Sequence, residues 1–166
     1  MDALEGVWEL IEGFPIAMSP SPMPEHQRVA AELRTELTIA IRKANCKNCK
    51  TYDPLDYKIS EDTILVPGIL VVCGEIKKKF LDFPPALVVE ILSPATALKD
   101  RHIKYQYYQQ QVIPYYLIVD IDNRKIDVFH LKNGEYQLQP PTLSYQFQLT
   151  NDCTITPELN NLFNQL

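Results

Sequence analysis

A chain of 166 residues with 46% hydrophobic and 22% charged residues has the size and make-up of a single globular domain, so residues 1–166 are expected to form one unit. No apolar run approaches the roughly eighteen residues of a membrane span, and Met1-Asp2-Ala3-Leu4-Glu5 lacks a basic and then apolar leader, which predicts a cytoplasmic protein. A net charge of −5 argues against a broad surface that grips nucleic acid by neutralising phosphates, but leaves room for a local basic edge.

Val7-Trp8-Glu9-Leu10-Ile11 alternates, Glu12-Gly13 punctuates and Phe14 to Met18 resumes, which predicts an N-terminal hairpin. Ser19-Pro20-Ser21-Pro22-Met23-Pro24 cannot be helix interior, whereas Pro24 suits a first helical position. Val29, Leu33, Leu37, Ala40, Ile41 and Ala44 recur at helical spacing, predicting a helix over 24–44. Glu25 falls in its first turn, where the helix dipole favours an acid. Cys46-Lys47-Asn48-Cys49 follows that helix. Cys73 and Cys153 stand singly, without the second close pair of a zinc site, and the C-x-x-C does not open a helix as a redox motif does. The four are read as incidental thiols in a reducing compartment.

Residues 52–59 and 63–66 read as two antiparallel strands around Ser60-Glu61-Asp62, with Asp56 a polar residue of the first. Pro67-Gly68 interrupts the second strand and Ile69-Leu70-Val71-Val72 resumes it, marking an edge, a bulge or a close backbone approach. Lys77-Lys78-Lys79 reads as a solvated loop; joined by Lys99, Arg101 and Lys104, it would supply a basic edge. Ala86-Leu87-Val88-Val89-Glu90-Ile91-Leu92 is apolar on both parities, as a strand covered on both faces requires. Glu90 interrupts that run near its C-terminal end. A buried charge is costly unless paired, hydrogen-bonded or metal-bound, so Glu90 either carries a site or marks the end of the buried stretch.

Thr96 is placed to cap a helix over 97–112, with Pro114 past its end, and residues 115–121 form another apolar strand. Asn123-Arg124 turns into a strand over 125–131, and Asn133-Gly134 is a strong hairpin signal leading into 135–139. The tail over 157–166 reads as a short helix. The helix between the Glu90 strand and the 115–121 strand lets those two run parallel, whereas the earlier strands are joined too tightly for that. The expected fold class is α+β: a mixed central sheet flanked by helices, with hairpins near both ends.

The order helix, three strands, helix, strand is similar to the PD-(D/E)XK nuclease superfamily, the restriction-endonuclease-like fold. More closely, the chain resembles a large bacterial family of restriction-endonuclease-like proteins catalogued as a domain of unknown function. The matching stretches are Trp8-Glu9-Leu10-Ile11-Glu12-Gly13, Met18-Ser19-Pro20-Ser21-Pro22 with Glu25-His26-Gln27, Glu61-Asp62-Thr63, Val66-Pro67-Gly68-Ile69-Leu70-Val71-Val72, Pro85-Ala86-Leu87-Val88-Val89-Glu90-Ile91-Leu92-Ser93-Pro94, Asp100 with Lys104 and Tyr108, and Ile113-Pro114-Tyr115-Tyr116-Leu117-Ile118-Val119-Asp120. Each is weak alone; the ordered set spans about residues 7–131.

The resemblance implies Mg²⁺- or Mn²⁺-dependent DNA cleavage, with an acid after the Pro of the second core strand and the Glu of the next strand as metal ligands. It also implies a homodimer. Glu90 takes the second ligand position. Leu92 replaces the usual lysine two residues on, and the resemblance moves that role to Lys104 on the following helix. Asp100 lies four residues before Lys104, a spacing equally suited to a surface ion pair. Gly68 stands where the pattern has Asp, which removes one metal ligand; Asp56 or Glu25 is the available substitute. Three readings follow: a degenerate nuclease that cuts slowly or not at all, an active endonuclease using Glu90, Lys104 and a substitute carboxylate, and a non-catalytic module binding nucleic acid or protein. The last would use Tyr105, Tyr107, Tyr108, Tyr115 and Tyr116, although core packing accounts better for most of these rings.

Overall fold

Apolar residues alternate or run continuously over short stretches along most of the chain, and the computed structural model, which describes residues 7–18 and 23–164, resolves them into three sheets. The run Ser19-Pro20-Ser21-Pro22 and the ends 1–6 and 165–166 lie outside the described residues. Strands β1 (Trp8–Ile11) and β2 (Phe14–Ala17) form the predicted hairpin, Trp8 opposite Ala17. Helix α1 (Pro24–Lys43) begins on Pro24 and buries the expected stripe of Val29, Leu33, Leu37, Ala40 and Ile41.

Next come β3 (Cys49–Tyr52), β4 (Tyr57–Lys58), β5 (Ile64–Leu65), β6 (Ile69–Cys73) and β7 (Leu87–Ile91). A π-wound segment, Lys99–Lys104, runs directly into α2 (Tyr105–Gln110), and β8 (Tyr115–Asp120), β9 (Lys125–Lys132), β10 (Glu135–Leu138), β11 (Phe147–Thr150) and β12 (Cys153–Ile155) complete the order. The six-stranded sheet has the order β10-β9-β8-β7-β6-β3; β7 and β8 run parallel and the other pairs antiparallel. A smaller sheet, β2-β1-β5-β4, stands beside it. Pro67-Gly68 lies where the chain leaves β5 in the small sheet for β6 in the large one, so the single interrupted strand expected there is two strands in two sheets.

The parity of β7 sorts its side chains. Leu87, Val89 and Ile91 join the core beneath α1 and the β11–β12 hairpin, while Val88 packs with Leu65, Tyr108, Tyr116 and Ile118 on the opposite face. Glu90 shares the parity of Val88 and therefore enters the α2 side.

Three further expectations are corrected. The tail forms turns as far as Asn164, because Leu159 and Leu162 anchor it to the core without a continuous apolar stripe. Thr96 does not cap the helix: its hydroxyl accepts from the Ser93 N–H. The cysteines are not incidental thiols. Cys46 is joined to Cys153 and Cys49 to Cys73, because the β3–β6 register sets Cys49 opposite Cys73 and β12 packs on α1 near Cys46.

Candidate functional site

Glu90 is 5% exposed near the end of a central strand, and its carboxylate is held mainly through one oxygen. Lys104 Nζ donates to Oε1 at 2.7 Å, the Tyr108 hydroxyl donates to the same oxygen at 2.7 Å, and the Gly68 N–H reaches Oε2 at 3.4 Å. The π-wound segment delivers Asp100 and Lys104 to this face. Such π-wound turns recur at functional sites, and here the turn carries two charged side chains into the interior.

Lys104 is completely buried, with Nζ 2.7 Å from Glu9 Oε1, 3.7 Å from Asp100 Oδ1 and 3.4 Å from the Val66 carbonyl. Glu9, 1% exposed on β1, accepts from the Val66 N–H and pairs with Lys99 through its other oxygen. Asp100, 2% exposed, accepts the Tyr116 hydroxyl on its backbone carbonyl. Three carboxylates thus share two ammonium groups in a nearly dry space, so the surface-pair alternative for Asp100 and Lys104 does not hold.

That imbalance sets the electrostatics. Burial pushes the Glu90 carboxyl up to about 7, with Asp100 and Glu9 adding to the shift and Lys104 opposing it. Burial likewise raises Asp100 against the pull of Lys104. For Glu9, burial is outweighed by the charge of Lys104 and by hydrogen bonds from Lys104, Lys99 and the Val66 N–H, and its pKa falls below the ordinary carboxylate value. Burial alone would lower Lys104, but Glu90, Glu9 and Asp100 together hold it above its usual value, fully protonated. Tyr108 is raised well above its ordinary value by burial and by Glu90, so it stays a donor.

A folded-state Glu90 that keeps its proton up to about pH 7, when the unfolded chain has released it near 4.5, makes stability fall as pH rises through that window. Glu9, with a lowered pKa, acts in the opposite sense at lower pH. In Glu90→Gln the decline between pH 5 and 7, at most about 1.4 kcal/mol per pH unit, should largely disappear. Urea midpoints of the two proteins across that range check it; an unchanged slope would show that Glu90 does not carry the raised pKa.

The expected residues divide cleanly. Glu90, Lys104, Asp100, Tyr108 and Gly68 come together. A Cβ built on Gly68 would lie 3.8 Å from Glu90 Oε2 and 3.3 Å from the Val89 carbonyl, so a side chain at this position would face Glu90. Asp56 is exposed just ahead of β4 in the small sheet, and Glu25 is exposed on the first turn of α1; neither is brought to Glu90 by any contact among the described residues. It is the neighbour of Glu25, His26, that turns inward, its Nε2 donating to the Ile91 carbonyl at 3.1 Å.

Glu9 and Lys99 are additions. Glu9 shares the parity of buried Ile11 in an alternating strand, the signal by which it is discoverable. The basic edge loses most of its members: Lys99 and Lys104 are committed to the carboxylates, and Arg101 bridges Asp120 and Asp127. Lys77, Lys78 and Lys79 remain exposed, with Lys78 paired to Asp82. Of the tyrosines, Tyr108, Tyr115 and Tyr116 are core residues, and Tyr105 and Tyr107 are half-buried.

This donor set does not fit Mg²⁺. The ion takes hard oxygen ligands in octahedral geometry, commonly one or two carboxylates plus waters and phosphates. Glu90 is the lone acid at the expected position, one oxygen already accepts from an ammonium and a phenol, and position 68 has no side chain. With the four cysteines bonded in pairs, no group of three or more His, Cys, Asp or Glu among the described residues stands ready to hold a metal. No described helix is long and apolar enough to cross a membrane.

Residues 2–160 match the family described as "Uma2: Putative restriction endonuclease". Among solved structures, the crystal structure of a "putative nuclease belonging to DUF820" from Anabaena variabilis ATCC 29413 superposes with a TM-score of 0.75 at 19% identity, covering 99% of this chain and 93% of that one. No match is found among curated proteins. The structural likeness supplies the restriction-endonuclease-like fold, the α+β architecture expected from the order of elements. With its match running over nearly the whole length, the chain belongs to the Uma2 family.

Proposed function

We propose that this protein is a nuclease-fold member whose phosphodiester-cutting centre is degenerate: it retains Glu90 and Lys104 but binds Mg²⁺ or Mn²⁺ weakly or not at all, and cuts DNA slowly or not at all. One observation carries the reading. Glu90 is balanced by an internal cation, Lys104, and by Tyr108, while the position facing its second oxygen is Gly68. A divalent ion would have to compete with a buried ammonium already held by three carboxylates.

DNA remains the partner this reading favours, in keeping with the family description. In the exposed Lys77-Lys78-Lys79 loop, Lys77 and Lys79 are the part of the expected basic edge left to meet phosphates, Lys78 being paired to Asp82.

Plasmid and single-stranded DNA incubated with Mg²⁺ or Mn²⁺ provide the test, alongside calorimetric titration of each ion. Cleavage at the level of metal-free controls and no saturable Mg²⁺ heat are expected. Metal-dependent cutting that disappears in Glu90→Ala would overturn the degenerate reading in favour of an active endonuclease.

A further inference from the structure

Four cysteines reach one place from three parts of the chain. Cys46 and Cys49 flank the tight connection from α1 into β3, where Asn45 adopts φ +55°, the Cys46 N–H donates to the Ile41 carbonyl and the Cys49 N–H to the Cys46 carbonyl. Cys73 ends β6 directly opposite Cys49, and Cys153 opens β12, which packs on α1. Cys46, Cys49 and Cys153 are all less than a tenth exposed, and Cys73 is half-buried.

The two disulfides are not separate staples. Cys49 Sγ lies 3.9 Å from Cys153 Sγ, a sulfur of the other bridge, so the four sulfurs form one continuous cluster. In a zinc–tetrathiolate tetrahedron with bonds of about 2.3 Å, neighbouring sulfurs are about 3.8 Å apart. The C-x-x-C spacing in a turn is that of a zinc knuckle, with the remaining ligands supplied from elsewhere in the fold. Arg42, Lys47 and Lys50 line a cleft of about 530 Å³ that reaches Cys46 and Cys49. Their charges would favour thiolates and offset the negative charge of a four-thiolate complex.

We propose that Cys46, Cys49, Cys73 and Cys153, when reduced, form a site for one zinc ion, and that the paired disulfides are the metal-free, oxidised form of the same cluster. In the step between them each disulfide takes two electrons and two protons from a dithiol, which leaves as its own disulfide. Zn²⁺ then binds the four sulfurs and releases their four protons. The site is independent of the Glu90 centre, and its success or failure says nothing about DNA cleavage.

The test uses the full chain reduced with dithiothreitol, desalted under argon and titrated with Co²⁺ and then Zn²⁺. One equivalent of Co²⁺ per chain should bind with the thiolate-to-metal absorption and visible bands of a tetrahedral sulfur site, and one equivalent of Zn²⁺ should bleach it. Oxidised protein should take up neither ion. Cys153→Ser should lose the stoichiometric tetrahedral signal; if that variant does not fold, the wild-type spectrum and stoichiometry decide alone. Reduced protein with four thiols reactive to Ellman's reagent that binds no Co²⁺ or Zn²⁺, or binds Co²⁺ with an octahedral spectrum, overturns the proposal.

Discussion

Replacing Lys104 with alanine is expected to destabilise the protein by roughly 3–5 kcal/mol, since removing one partner of a buried ionic network leaves the others uncompensated. Glu9, Glu90 and Asp100 would remain in a nearly dry space with only Lys99 to balance them. A domain of this size is stable by about 5–15 kcal/mol, so the loss is a large share of the total. It should lower the melting temperature by roughly 6–20 °C. The double variant Lys104→Met with Glu90→Gln should recover part of that loss, because a neutral amide replaces one stranded charge while the methionine fills the volume of the lysine stem. Urea unfolding of the two variants and of wild type, at fixed pH under non-reducing conditions, separates the effects. A loss below about 1 kcal/mol for Lys104→Ala would mean that water reaches the network, as it does for exposed ion pairs.

How much of this centre can be read from the chain depends on the kind of signal each residue leaves. Strand β7 is legible because its residues are apolar on both parities, and Glu90 is conspicuous against them. The i, i+4 spacing of Asp100 and Lys104 places them on one helical face. It cannot reveal that the face is buried, because Lys99, Arg101 and His102 make the segment look solvated, and its π winding has no local sequence signature. Glu9 is discoverable from strand parity, but its partner Lys104 is 95 residues away on the π-wound segment, and only the packing of that segment against β1 joins them.

The cysteines illustrate the same limit. Sequence spacing ties Cys46 to Cys49, whereas strand register and hairpin packing choose the partners. Strand β3 escapes a local reading because Cys49-Lys50-Thr51-Tyr52 is short and mixed in polarity, yet it forms the edge that holds Cys49 opposite Cys73. Long-range pairing, rather than local propensity, decides such elements.

Gly68→Asp should convert a closed ionic cluster into one that responds to Mg²⁺. The backbone at this position does not require glycine: its φ lies outside the left-handed range, and the obstacle to a side chain is the Val89 carbonyl. That oxygen would stand 3.3 Å from the new Cβ and must yield by a few tenths of an ångström. Gly68→Ala measures that steric cost alone. The aspartate would add a further penalty without metal, because its carboxylate would stand beside Glu90 and like charges at close range cannot both ionise freely. A combined loss of roughly 1–3 kcal/mol relative to wild type is expected in chelator-treated buffer. With Mg²⁺ the second acid turns the penalty into a ligand, and binding to the folded state raises stability by mass action, about 2.7 kcal/mol at a hundred times the dissociation constant. Thermal melts of wild type, Gly68→Ala and Gly68→Asp with and without Mg²⁺ give the answer. A magnesium-dependent rise confined to Gly68→Asp would identify position 68 as the lost anchor of the metal site. An aspartate variant as indifferent to Mg²⁺ as the alanine would mean that Glu90, held by Lys104 and Tyr108, serves only the interior of the fold.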